Sequence, residues 1–141
     1  MLNQHTLRVY DLKPACICLD RTTANGHWTV TEHGLCQFGQ SQDHRPDLPQ
    51  VKVMLSALDP LGMPVATDVV PGQRADDPLC VPAITRVREG LGLRGLRYGG
   101  DCKMAALEPR AFLHAGGDYY LSPLSERQLP PTILADDLAP M

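Results

Sequence analysis

The chain has 141 residues, a mass of 15.4 kDa and 43% apolar residues, which makes one domain with enough apolar content for a core. Charged residues are 21% and the net charge is −3, which excludes a basic nucleic-acid tail and a highly charged disordered chain. Proline, at 13 of 141, exceeds its usual share of about 5% and implies many turns.

Residues 4–12 read as a short helix or the tail of a longer one, ended by Lys13-Pro14, because the residue before a proline is pushed out of the α region. The apolar run at 15–19 reads as a strand buried on both faces, with Asp20 emerging at its C-terminal end. Residues 21–50 hold His27, His33 and His44 and few aliphatics, and read as a long functional loop with a short strand near 28–31. Within it, Pro46 and Pro49 are expected to stiffen HRPDLP toward extended geometry. Residues 51–58 and 65–70 are predicted strands of a hairpin, separated by the turn signal Asp59-Pro60-Leu61-Gly62.

Asp76-Asp77-Pro78 opens a helix with an Asp cap and an early proline. Cys80, Ile84, Val87 and Leu91 give that helix one apolar face, and Pro82 shifts its start a few residues later. Residues 96–100 read as a strand that ends at Asp101. Residues 104–115 read as a second helix with Pro109 inside it, stopped by Gly116-Gly117, and 119–123 as a last strand. Residues 125–141 show no period and are expected to be an irregular tail. An antiparallel meander followed by βαβ units is the layout of a ribonuclease-H-like α/β domain, here incomplete. The domain is expected over 15–124, with 1–14 an N-terminal remnant.

The five cysteines are odd in number and form no CxxC, so a reducing compartment is expected rather than a disulfide framework. The N-terminus has no apolar signal-peptide core, and no apolar run nears the roughly 18 residues of a membrane span. The expected location is the cytoplasm, with no membrane partner.

Asp20 and Asp101 are the leading candidates for chemistry. Both follow predicted strands at the C-terminal end, the edge of an α/β sheet where ligands sit. Two convergent carboxylates repel unless a cation lies between them. Magnesium suits one or two carboxylates plus a substrate phosphate. From spacing alone, an Asp that starts a turn is the commoner reading.

ICLDRTT (17–23), QFGQSQDHRPDLPQ (37–50) and GGDCKMA (99–105) resemble the catalytic core of bacterial insertion-sequence DDE transposases. LDPLGMP (58–64) and GQRADD (72–77) also fit that family, and the resemblance runs from about residue 10 to 124. It implies a ribonuclease-H-like fold, with Asp20 the first catalytic aspartate and Asp101 the second. It also implies two Mg²⁺ or Mn²⁺ ions held by that pair, one activating a water and later a DNA 3′-hydroxyl. The other stabilises the leaving oxygen of an in-line phosphodiester substitution. The loop residues Asp43, His44, Arg45 and Asp47 would approach DNA or brace the site. Implied partners are DNA (element ends and target) and a homodimer or a full-length transposase. When bound to DNA, the protein would sit with the nucleoid.

The chain departs from the family in its third carboxylate, a Glu on a later helix. Beyond Asp101 it offers Glu108, Glu126, Asp136 and Asp137. Glu108 reads as a surface residue and Glu126 precedes Pro130-Pro131, where no long helix forms. The chain therefore reads as truncated at both ends. The alternative to an enzyme is a non-catalytic remnant that only binds DNA or a transposase partner.

Weaker signals complete the sequence. GLGLRG (90–95) matches a dinucleotide fingerprint but follows a helix and precedes a strand, the reverse of what that site needs. His27, His33, Cys36 and His44 fit no zinc spacing. Cys16 and Cys18 read as core cysteines. Arg86, Arg88, Arg94 and Arg97 read as a solvated basic face rather than a phosphate site.

Overall fold

The computed structural model describes residues 2–40, 43–75, 77–101 and 103–124. The elements are α1 (Leu2–Val9), β1 (Cys16–Asn25), β2 (Gln50–Asp59), β3 (Met63–Pro71), a 3₁₀ turn (Asp77–Leu79), α2 (Cys80–Leu91), β4 (Arg97–Gly100), α3 (Leu107–Ala115) and β5 (Tyr119–Leu121). They build one mixed sheet in the order β3-β2-β1-β4-β5. The β1–β2 and β2–β3 pairs are antiparallel, and β1–β4 and β4–β5 are parallel. The meander followed by βαβ units is thus the observed layout.

One face of the sheet is packed and the other is open. Side chains alternate along a strand, so residues two apart share a face. On the packed face lie Ile17, Leu19, Met54, Leu58 and Tyr98, all buried in one cluster with Leu7 of α1, Ile84, Val87 and Leu91 of α2, and Leu113 of α3. The open face carries Cys16, Cys18 and Asp20 of β1, Val69 of β3 and Leu121 of β5; no helix of the described residues covers it.

This alternation corrects the reading of β1 as a strand buried on both faces. Ile17 and Leu19 are buried, while Cys18 and Asp20 are exposed. Cys16 and Cys18 lie on the open face and are not core cysteines. The strand also runs to Asn25, so Asp20 sits mid-strand, not at the end. Its second half, RTTAN, is polar but β-branched at Thr22 and Thr23, and it pairs with 50–54 of β2.

Both helix starts obey the same rule. Pro82 and Pro109 are the third residues of α2 and α3. A helix leaves its first N–H groups without internal partners, so proline fits there and not further in. The predicted helix at 104–115 therefore begins later, after a turn in which Met104 N donates to Asp101 O at 3.1 Å. The Asp76 cap, Cys102 and the tail at 125–141 lie outside the described residues.

The basic cluster dissolves on the packed face. Arg88 is 8% exposed and its guanidinium meets Asp118 at 2.7 Å. The second Asp118 oxygen accepts from Leu96 N at 2.9 Å, and Arg88 stacks 4.5 Å from the Phe112 ring centre. Arg86 points elsewhere and pairs with Asp68 of β3 at 2.7 Å. Arg88 is thus a structural tie between α2, α3 and the β4 edge, and the solvated-face reading fails for it.

Candidate active site

Register places the two candidate carboxylates side by side. Leu19 pairs with Gly100 in the parallel ladder of β1 and β4. The next step along both strands is Asp20 and Asp101. Parallel strands in register aim equivalent residues to the same face, and neighbouring strands lie about 4.8 Å apart. Asp20 and Asp101 accordingly line one open hollow with Cys18, Gly99, Leu121 and Ser122. Both are exposed.

Each carboxylate spends one oxygen on nearby backbone. Asp20 Oδ1 accepts from Arg21 N at 2.8 Å and Asp101 Oδ1 accepts from Lys103 N at 2.9 Å. The bond from Lys103 makes Asp101 the start of a turn while Asp101 also lines the hollow. These bonds restrain each side chain's orientation and occupy one oxygen of each carboxylate. Two hard oxygen donors on adjacent strands fit a divalent cation such as Mg²⁺ or Mn²⁺.

Positive charge gathers on the other side of the same strands. Arg21, Lys103 and Asp101 line a small cavity with Leu19, Met54 and Cys80. Lys52 is 3% exposed and donates to Arg74 O at 2.6 Å. Burial, followed by the nearby Arg21 and Lys103 cations, pulls its ammonium below the usual lysine range. On the open face, partial desolvation, then the neighbouring Cys16 thiol and Asp59 carboxylate, push the Cys18 thiol up.

The loop of 26–49 is pinned, and none of its described residues lines either cavity at the carboxylates. Gln50, fully buried, donates from Nε2 to Gln40 O at 2.9 Å and Gly72 O at 3.1 Å. Gln37 and Gln50 exchange backbone bonds at 2.9 and 3.0 Å, so the strand expected near 28–31 is replaced by this single bridge. HRPDLP is a turn and not an extended stretch: His44 has φ +55° and Leu48 N donates to Arg45 O at 3.2 Å. Arg45 forks onto Asp47 with bonds of 2.9 and 2.8 Å. That fork holds the Asp47 carboxyl below the usual carboxylate range.

Asp43 Oδ2 accepts from Asn25 Nδ2 at 3.0 Å, which anchors the loop at the far end of β1. Asn25 is five residues beyond Asp20, or about 16 Å along a strand. The structure therefore brings Asp20 and Asp101 together and leaves His44, Arg45 and Asp47 apart from them. Glu108 is exposed in the first turn of α3 and lines neither cavity at the aspartates. Glu126, Asp136 and Asp137 lie outside the described residues. Among the described residues no group of three His, Cys, Asp or Glu is placed to hold a metal ion, and His27, His33, Cys36 and His44 are no exception.

Comparison with known proteins separates fold from sequence. No family model matches the chain, and no curated protein matches its sequence. Solved structures do. A piggyBac transposase synaptic complex with hairpin DNA matches 90% of this chain and 27% of its own, with a TM-score of 0.58 and 12% identity. A Mos1 transposase paired-end complex with the left transposon end matches 85% of this chain and 38% of its own, at TM-score 0.53 and 8% identity. A Mos1 mariner paired-end complex with Mn matches 86% and 40%, at TM-score 0.50 and 11% identity. The chain spans less than half the length of these proteins. At such identities the likeness establishes the fold, the ribonuclease-H-like α/β sheet. Among the described residues no helix is long and apolar enough to cross a membrane.

Proposed function

We propose that this chain is a catalytic-core fragment of a DDE transposase, in which Asp20 and Asp101 are two of the carboxylates that hold divalent cations. One observation supports the reading: the parallel ladder ends at Leu19 and Gly100, the next residue along each chain is an aspartate, and both aspartates line one hollow. Folds shared with Mos1 and piggyBac transposases, and the motif resemblance at 17–23, 37–50 and 99–105, support the same class. The substrate would be DNA, at element ends and target. The partners would be a second transposase copy or a full-length transposase, in the cytoplasm and at the nucleoid.

The residues have distinct tasks in this reading. Asp20 and Asp101 supply hard oxygen ligands whose orientation is fixed by the Arg21 and Lys103 backbone N–H groups. A Mg²⁺ or Mn²⁺ ion bound there supplies charge stabilisation for in-line substitution at a phosphodiester. Lys103 stands next to Asp101 and offers a cation to a neighbouring DNA phosphate. His44, Arg45 and Asp47 form a rigid turn at the far end of β1, suited to touching DNA some distance from the reacting bond. A bacterial insertion sequence is the proposed source of the chain.

Direct Mn²⁺ binding tests the site. The full chain is expected to bind Mn²⁺, read by electron paramagnetic resonance. Asp20→Asn and Asp101→Asn should each weaken binding more than about 100-fold, since changes to residues behind a metal ligand already cost 10–100-fold. Nicking of supercoiled DNA in Mn²⁺ is the second measurement. Nicking that survives Asp20→Asn would overturn the assignment. DNA binding without nicking, by a chain that holds Mn²⁺, would mark a core that needs a carboxylate from a partner or a longer chain.

A further inference from the structure

We infer that Cys16 and Cys18 form a dithiol site for a thiophilic d¹⁰ cation on the open face of the sheet. This site goes beyond the DNA-processing reading and stands without it.

The two cysteines are two residues apart in β1, so both side chains leave the same face. Their register partners are Arg97 and Gly99 of β4. Gly99 has no side chain, and both sulfurs border that gap. A Cβ placed on Gly99 would lie 3.9 Å from Cys16 Sγ and 4.0 Å from Cys18 Sγ. Both cysteines are free, Cys16 half-buried and Cys18 exposed, so an ion reaches them from solvent.

Charges of both signs surround the thiols: Arg97, an exposed cation, stands beside Cys16, and two carboxylates lie along the same strip. Asp59 of β2 pairs with Cys16 across the antiparallel ladder, and Asp20 follows Cys18 on the same face. Two carboxylates thus flank the thiols along the strip. The donor chemistry then sorts the ions. Sulfur selects soft cations such as Zn²⁺ and Cd²⁺, whereas the oxygens of Asp20 and Asp101 select Mg²⁺ and Mn²⁺. Soft and hard donor pairs therefore follow one another along the open face of β1.

Binding is a simple exchange with no redox change. Two S–H bonds break, two sulfur–metal bonds form, and two protons pass to the buffer. A divalent ion gives a neutral dithiolate, with water completing its coordination on the exposed side. No third His, Cys, Asp or Glu among the described residues is grouped to join it. The hollow shared by Cys18, Asp20 and Asp101 would be partly filled by the bound ion and its waters.

Cadmium is the probe, because thiolate-to-cadmium charge transfer gives an ultraviolet band that carboxylate-bound cadmium lacks. The full chain, reduced and metal-free, is titrated with Cd²⁺. One equivalent should raise the band. Cys16→Ser and Cys18→Ser should each lose it, and circular dichroism should show both variants folded. Cys36→Ser and Asp101→Asn should keep it. Absence of a band in the native chain, or a band that survives Cys18→Ser, would overturn the site. Loss of the band in Asp101→Asn would overturn its separation from the carboxylate pair. Mn²⁺ binding, followed in the same variants, reports on the carboxylates alone and so keeps the two readings distinguishable.

Discussion

The packed and open faces of the sheet are made by the same strands, and they divide the work of the molecule. On the packed face, Ile17 and Tyr98 are fully buried neighbours, and the ion pair of Arg88 with Asp118 is closed off by Phe112. On the open face, the residues one step along, Cys18 and Gly99, leave a hollow that Asp20 and Asp101 line. Apolar burial and buried polar ties hold the first face. Exposed donors sit on the second, where removing a side chain removes little packing. A strand's two-residue period lets one segment serve both ends, so changes on the two faces should have opposite signatures.

The largest expected effect on stability is at Arg88. Replacing it by Ala leaves the Asp118 carboxylate buried without its counter-charge, at a cost of about 3–5 kcal/mol. Thermal unfolding of Arg88→Ala should show a large fall in Tm or no cooperative transition. A Tm within a few degrees of the native value would mean that the tie is dispensable.

Tyr98 tests the same face by pH. Burial, then the nearby Asp118 carboxylate, pushes its hydroxyl from 10.0 up to about 12. A raised folded value means that the native state keeps the proton longer than the unfolded chain. Its contribution is whole below pH 10 and fades as pH rises through 12, by about 3 kcal/mol in all. Urea unfolding of Tyr98→Phe from pH 9 to 11.5 should show a shallower alkaline loss than the native chain.

Gly72 sharpens the contrast at the sheet's edge. A Cβ there would run into the Gln50 and Gln37 carbonyl oxygens that pin the long loop. Gly72→Ala should cost about 1–3 kcal/mol by overpacking. It should also expose 37–40 to protease without touching Mn²⁺ binding.

The smallest effect belongs to the open face. Val69 is 50% exposed on β3. Val69→Thr keeps the β-branched shape and should move stability by less than about 0.5 kcal/mol. A larger loss would show that something covers this face in solution.

Local chemistry made much of this architecture readable. The hairpin of β2 and β3 announces itself by β-branched runs around a proline-glycine turn. The four-three-four spacing of Cys80, Ile84, Val87 and Leu91 marks the packed side of α2, and all four are buried. Asp101 was visible as the polar end of a short strand. The second half of β1 was not, because Arg21, Thr22 and Thr23 carry no apolar alternation. Arg88 was hidden by its company in a basic cluster. Its position four after Ile84 was the available signal, since a cation on an apolar stripe implies a buried anion. The partner, Asp118, lies 30 residues away and no local pattern announces it. The loop knot at Gln50 was equally opaque, being a buried amide closed by backbone carbonyls distant in sequence.

The pairing of Leu19 with Gly100 has one more consequence. A parallel ladder advances in whole residues, and a slip of one turns every side chain to the opposite face. Tyr98, locked in the core beside Ile17, is what forbids that slip. The alignment of Asp20 with Asp101 is therefore an all-or-none property, inherited from a tyrosine that never meets solvent. A single-residue deletion between Tyr98 and Asp101 would not loosen the carboxylate pair but switch it off.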